Sequence, residues 1–290
     1  MGYVFMTDSD SDLPFALKQA WQIPVVYMPY TVDGQEYYDD LGQSLDHKAY
    51  YDRMRAGAVV RTSALNEQDY LDYFEPILKE NDLLFVAFSS QMSRTIESVY
   101  AARERLLKKY PERKFVVVDT LSISVPMTML LIQAHDLYLQ GKPMEEVAAW
   151  IEQNRTRSCC YLTVDSLEYL KRGGRLSGAA AAIGTLLDLK PVLTLTKEGK
   201  LVACDKIRGR KKALNYIVEK TLAQADETTD KQPMYVIHAD APEDAQRVRD
   251  MLAEKFPAAE LRDANIGPVI GAHAGPGTVC ICFMGKERAM

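Results

Sequence analysis

The sequence predicts an α/β protein in two parts, the first built on a parallel sheet and the second on a sheet with antiparallel neighbours. Three observations carry this expectation. In the first half, short runs rich in β-branched and aromatic residues alternate with amphipathic stretches. In the second half, the turn Lys197-Glu198-Gly199-Lys200 joins two runs that alternate apolar and polar residues, as in an antiparallel hairpin with one open face. The chain then closes with a strand, a helix and two further strands. A chain of 290 residues is long enough for two such units, each with its own core.

The strands of the first half are Tyr3 to Thr7, Ile23 to Tyr30, Leu83 to Phe88 and Phe115 to Asp119. Most read as buried on both faces, which suits parallel pairing. Between them lie helical stretches at Leu13–Trp21, Ser44–Gly57, Asn66–Asn81 and Ser93–Tyr110. Asp12 is expected to cap the first, with Pro14 in its opening turn, and Pro76 to kink or divide the third. A long helical stretch from Val125 to Thr156, broken at Gln140-Gly141-Lys142-Pro143, leads to a junction placed at residue 157, giving domains 1–157 and 158–290. Beyond it come a strand at Cys159–Val164, a glycine turn, an alanine-rich helix, the hairpin and the closing β-α-β-β unit.

Composition narrows the function classes. An apolar content of 47% with 26% charged residues is ordinary for a globular protein, and a net charge of -5 argues against a partner that must be held by its phosphate backbone. The start, Met1 to Asp12, lacks the pattern of a signal peptide, and no apolar run is long enough to span a bilayer. The expectation is a cytoplasmic protein without integral membrane contact. Five cysteines, an odd number in a chain of this size, read as reduced thiols. Cys280 and Cys282 share one strand face without the partners a zinc site needs, so no metal is expected.

Several stretches carry candidate chemistry. Asp8 and Asp10 follow a strand in a D-x-D pattern, as in magnesium-dependent phosphohydrolases where one carboxylate attacks phosphorus. The later strands supply no second carboxylate pair, and the alternative is that Asp8 and Ser9 tie down a loop while Asp12 caps a helix. Two hydroxyl clusters, Thr62-Ser63 and Ser89, Ser90, Ser93 and Thr95, lie before helices on what is expected to be one sheet edge. They are either caps or contacts to an anion, because free N–H groups at helix starts favour negative charge. The glycine turn from Lys171 to Arg175 lacks the spacing of a nucleotide P-loop, and the small residues after it suit tight packing or the close approach of an apolar ligand. Lys206, Arg208, Arg210, Lys211 and Lys212 form a basic cluster that is either a solvated helix face or a dock for an acidic partner. His273, set among Gly267, Gly271, Gly275 and Gly277, reads as a core residue, a base or a ligand contact at a bend beside a strand end.

The blocks "TDSDSDLP", "RTSALN", "FSSQMSRT", "VVDT", "YLKRGGRLSGAAAAIGTLLDLKPVL", "KIRGRKKAL" and "IGPVIGAHAGPGT" together resemble, along the whole chain, the DegV family of fatty-acid-binding proteins. The resemblance implies an N-terminal three-layer α/β/α domain with a parallel sheet, a C-terminal two-layer α/β domain with a mixed sheet, and one long-chain fatty acid between them. Its tail lies in an apolar tunnel, and its carboxylate meets Thr62, Ser93 and His273, with Arg175 as a further neighbour; Arg94, which stands where the family has a glycine, is assigned to the ligand head, the alternative being that it points outward. Such proteins are carriers without cofactors, not enzymes: they present the acid to a separate ATP-dependent fatty acid kinase that makes acyl phosphate. Arg208, with Lys206 and Arg210, is then the expected kinase contact. The sequence departs from the family pattern at Ala64–Asn66, at Arg94 and at Pro126 and Thr128, all around the expected pocket. A DegV fold binding another amphipathic carboxylate is the nearest alternative.

Overall fold

A computed structural model describes residues 2–176 and 188–289. The alanine-rich segment expected to be helical lies largely outside the described residues. The first sheet is parallel, with strand order β2-β1-β6-β7, where β1 is Tyr3–Asp8, β2 Val25–Val26, β6 Asp82–Ala87 and β7 Phe115–Asp119. Helices α1 (Phe15–Trp21), α3 (Glu67–Leu78), α4 (Thr95–Lys109), α5 (Ser124–Leu139) and α6 (Met144–Asn154) lie between and after these strands. Central β6 is buried from Leu83 to Ala87, which is why its sequence is continuously apolar instead of alternating. Phe74 of α3 packs against Phe85 and Phe115 with ring centroids 5.1 and 4.9 Å away, fastening helix to sheet.

Local chemistry explains most helix limits, with two differences from expectation. Asn66 accepts from the backbone N–H groups of Gln68 and Asp69 while Asp69 returns a bond to Asn66, a reciprocal cap that starts α3. Pro76 does not divide α3, because it falls in the last turn and the helix runs on to Leu78. Asp12 does not cap α1 either. Pro14 occupies that position, and the Asp12 carboxylate turns instead to Gly267 and Ser124. Asp8 and Ser9 do tie down their loop, accepting the N–H groups of Phe88 and Met28.

The run from Ile23 to Tyr30, expected as one strand, serves two sheets. Its first part is β2; Pro29 then opens β3 (Pro29–Val32), the centre of a three-stranded antiparallel sheet between β4 (Gln35–Tyr38) and β5 (Val60–Thr62). β3 and β4 are joined by Asp33-Gly34, both at positive φ, 53° and 85°. That is the mirror-image turn whose twist suits a two-residue hairpin. Helix α2 (His47–Arg55), started by an Asp46 cap, separates β4 from β5.

The second sheet is mixed, in the order β10-β9-β8-β13-β11-β12, with β8 Ser158–Thr163, β9 Leu189–Leu195, β10 Leu201–Arg208, β11 Met234–His238, β12 Leu261–Asn265 and β13 Val279–Met284. Only β11 and β12 run parallel. We propose the junction between the two units at residue 157, on the ground that β8, the first strand of this sheet, starts at the next residue. The expected open face is covered. Helices α8 (Arg210–Gln224) and α9 (Pro242–Lys255) enclose Val236, Val279, Ile281 and Phe283 on one side. Cys160, Leu162, Ile237 and Cys280, from the other side, join the same core as the parallel sheet. Two short helices, α7 (Glu168–Arg172) and α10 (Pro268–Ala274), stand at this seam. All five cysteines are free thiols, and only Cys204 is not buried.

Arg288 locks the seam. It is 5% exposed, and its guanidinium donates to the carbonyls of Leu121, Arg155, Ser158 and Thr196 and to the hydroxyls of Ser122 and Ser158. Those groups come from both sheets' connections. Arg288→Met keeps the apolar stem but strands several buried carbonyls, and is expected to lower stability by about 3 kcal/mol or more. Urea unfolding measures this, and an unchanged midpoint would deny Arg288 the role.

Candidate functional site

The main pocket opens at the seam and holds about 900 Å³ of empty space, its mouth included. Its apolar wall comes from both sheets and the helices between them, including Ile123, Leu162, Leu201, Ile237, Val269 and Ile270. Pro126 also lines it, whereas Thr128 is fully buried and spends its hydroxyl on the Ser11 carbonyl. Of the two family departures in α5, only Pro126 therefore touches the cavity.

The polar wall gathers four residues that the sequence had assigned to one site: Thr62, Ser93, Arg175 and His273. Thr62 ends β5, and its hydroxyl lies 2.9 Å from His273 Nε2. His273 sits in the last turn of α10, not at a strand bend; the glycines that suggested a bend shape the helix and its exit. Its Nδ1 is buried without a partner. Burial, and then the charges of Arg175 and Arg172, push the imidazole down to about 4, so at neutral pH it is uncharged. Gly173 leaves room for this ring: a Cβ there would stand 2.0 Å from His273 Nδ1. Arg175 is held by its own bonds to the carbonyls of Met92 and Gly173, at 3.1 and 2.6 Å. Ser93 accepts the N–H of Thr95 at 3.3 Å, which leaves its hydroxyl proton available.

The other hydroxyls of the two clusters divide by position. Ser63 lines the pocket. Ser89 donates to Gly199 O, and Thr95 pairs with the Tyr70 hydroxyl, so both serve packing. Arg94 does not reach the cavity. Its side chain is 85% exposed and bonded to Glu97 one turn on, which corrects its expected place at the ligand. Arg210 is also misplaced as a free surface contact, because it donates to Asp244 and to the Gly277 carbonyl and so ties α8 to α9 and the approach to β13. Lys206 and Arg208 are exposed, with Arg208 3.9 Å from Asp188.

The acidic start of the chain is buried. Desolvation pushes Asp8 and Asp12 up to about 7, and drives Asp10 and Asp39 well above the usual carboxylate range. An aspartate reluctant to ionise is a poor phosphorus nucleophile. Among the described residues, no group of three His, Cys, Asp or Glu side chains is arranged to hold a metal ion. Asp10 and Ser124 do line the main pocket, a placement that no local pattern around either residue signals.

The fold is α/β, with two large sheets and a small third one, and the pocket at the seam combines a largely apolar lining with a cluster of polar side chains. The chain belongs to the DegV family, whose model, described as "Uncharacterised protein, DegV family", matches residues 4–286. A DegV domain-containing protein of Clostridium perfringens is 37% identical over 290 residues, covering 99% of this chain and 98% of its own. Among solved structures, a DegV family protein from Thermus thermophilus, reported for its fatty acid binding, is 32% identical with a TM-score of 0.87, covering 98% of this chain and all (100%) of that one. DegV from Bacillus subtilis, described as a fatty acid binding protein, is 29% identical with a TM-score of 0.82, covering 99% and 100%.

The buried carboxyls give stability a pH signature. Asp8 and Asp12 hold their protons more tightly in the folded state than in the unfolded one. Their contribution is complete below the ordinary carboxylate value, and is lost as pH rises through about 7. His273 acts in the opposite sense, but its contribution fades only as pH falls from the ordinary histidine value toward about 4. Between roughly pH 8 and pH 7 the carboxyls therefore dominate. Acidification over that window is expected to raise the urea midpoint, and Asp12→Asn to flatten the rise; a midpoint that falls would contradict the burial argument.

Proposed function

We propose that this protein binds a long-chain fatty acid, its tail among the apolar side chains of the main pocket and its carboxylate at Thr62, Ser93 and His273, with Arg175 alongside. The observation that carries the reading is that these groups lie together in the wall of a cavity whose other lining residues are mostly apolar. The Thermus thermophilus and Bacillus subtilis relatives, both described as fatty acid binders, support it. A neutral His273 donates or accepts without competing charge, and Arg175 supplies the cation that a carboxylate head favours.

The two ends contribute differently. Each buried methylene brings about 0.8 kcal/mol, so a long tail supplies on the order of 10 kcal/mol. Each hydrogen bond to a charged head adds about 1.5 to 3 kcal/mol. The tail thus dominates affinity, and the polar end sets orientation. No group in this reading acts as a catalyst or calls for a cofactor.

The carrier role follows from the family resemblance: a cytoplasmic protein that offers the bound acid to an ATP-dependent fatty acid kinase. Among the described residues no helix is long and apolar enough to cross a membrane. The exposed pair Lys206 and Arg208 is the surface assigned to the kinase. Another amphipathic carboxylate is the second reading, since the same head contacts would serve it.

Denaturing extraction of purified protein followed by mass spectrometry is expected to release a fatty acid. Protein that is empty, and that also refuses labelled palmitate and oleate, would defeat the reading. Thr62→Ala combined with Ser93→Ala is expected to weaken palmitate binding about tenfold or more, with melting temperature nearly unchanged. Arg208→Glu is expected to leave binding intact while abolishing phosphorylation of the bound acid by its kinase; phosphorylation at the original rate would remove Arg208 from that surface.

A further inference from the structure

One polar group in the pocket has no part in the reading above. Asp10 lies in the single turn Ser9–Ser11 that follows β1, is 3% exposed, and lines the main cavity. Its neighbours in the turn are fully employed: Ser9 Oγ accepts the N–H of Met28, and Ser11 Oγ donates to Asp8 O. The Asp10 carboxyl is not. Its Oδ1 is buried without a hydrogen-bond partner. Such an atom is costly in a folded protein, and a hydrocarbon chain passing it offers nothing to satisfy it.

The chemistry of the surroundings defines what would. Burial, together with the nearby Asp8, Asp39 and Asp12, raises Asp10 well above the usual carboxylate range, and in its protonated form the group carries one donor and spare acceptor capacity. Ser124 lines the same cavity, and its hydroxyl proton is already given to Asp12, so toward the cavity it can only accept. One donor and one acceptor are the complement of an alcohol. Among the described lining residues a second carboxylate would find no cation beyond Arg175, and an ammonium group would meet the Arg175 charge. The place along the chain follows as well. Asp10 is near enough to Arg175 to feel its charge, and Arg175 stands by His273 at the head end.

We propose that the pocket takes a fatty acid hydroxylated on a carbon close to its carboxylate, and that Asp10, with Ser124 beside it, selects for that hydroxyl. This rests on the fatty-acid reading of the same site. It makes Asp10 a specificity residue, separate from the trio that holds the head.

Competition against a fluorescent fatty acid compares palmitate, 2-hydroxypalmitate, 3-hydroxypalmitate and 16-hydroxypalmitate. The wild-type protein is expected to bind the 2- or the 3-hydroxy acid at least about tenfold more tightly than palmitate, and the 16-hydroxy acid no better than palmitate. Asp10→Ala is expected to erase that preference and to bind palmitate at least as well as the wild type. Asp10→Asn, whose amide also donates and accepts, is expected to keep it. Thermal melting reports whether each variant is folded, and the wild-type ranking stands as a test without them. Palmitate bound as tightly as both near-head hydroxy acids would overturn the proposal while leaving fatty acid binding intact. An equal loss for every acid in folded Asp10→Ala would also overturn it, making Asp10 a head-group contact. Failure of all four acids to bind would instead overturn the fatty-acid reading, and this proposal with it.

Discussion

The buried carboxylate of Asp12 is the constraint on which the site depends. It accepts the Gly267 N–H at 3.0 Å and the Ser124 hydroxyl, so one side chain just beyond the turn that follows β1 fixes the starts of both α5 and α10. The arrangement is strained and tightly fitted. Asp12 and Ser124 both stand at positive φ, 51° and 47°, where side chains other than glycine are disfavoured. At Gly267 a Cβ would fall 2.4 Å from Asp12 Oδ1, so only glycine lets the backbone come this close. α10 is short, from Pro268 to Ala274, and a grip on its first turn sets the position of its last. His273 meets Thr62 because Asp12 holds the other end of the helix.

The electrostatics of the pocket follow from burial more than from formal charge. The chain carries a net charge of -5, and its first turn alone contributes Asp8, Asp10 and Asp12. Yet desolvation raises all three well above the usual carboxylate range, which lowers their negative charge at neutral pH, and among the described residues Arg175 is the cation in the wall of the pocket. An anionic head can therefore enter beside a run of aspartates. The Arg175 guanidinium is already bonded to two carbonyls, so an anion arriving there would meet a cation held in place.

The parts of the fold legible in the sequence are those whose local and tertiary demands agree. β1, β6, β7, the Lys197–Lys200 turn and the closing β-α-β-β unit each combine strand-forming residues with clear turn chemistry. The division of Ile23–Tyr30 between two sheets was not legible, because nothing in its apolar run marks which sheet each half joins. The Asp33-Gly34 hairpin was legible in principle and went unread. For the site, the hydroxyls, the arginine and the histidine were identifiable by residue type and family pattern. What each does depends on distant contacts. Arg94 and Arg175 are both arginines beside glycines or serines, but Glu97 draws one outward and the Met92 carbonyl holds the other in. The Asp12 side chain had a local reading as a cap, and its actual partner is 255 positions away in the chain.

Arg288 adds an ordering in time to this spatial picture. It follows the final strand, and the carbonyls it satisfies belong to connections made much earlier, at Leu121, Arg155 and Ser158. During synthesis those connections emerge from the ribosome well before the side chain that completes them. Until it arrives, those carbonyls are without this partner. The nascent parallel sheet can thus assemble on its own schedule, while the bonds of Arg288 across the seam form only after β13 has been made.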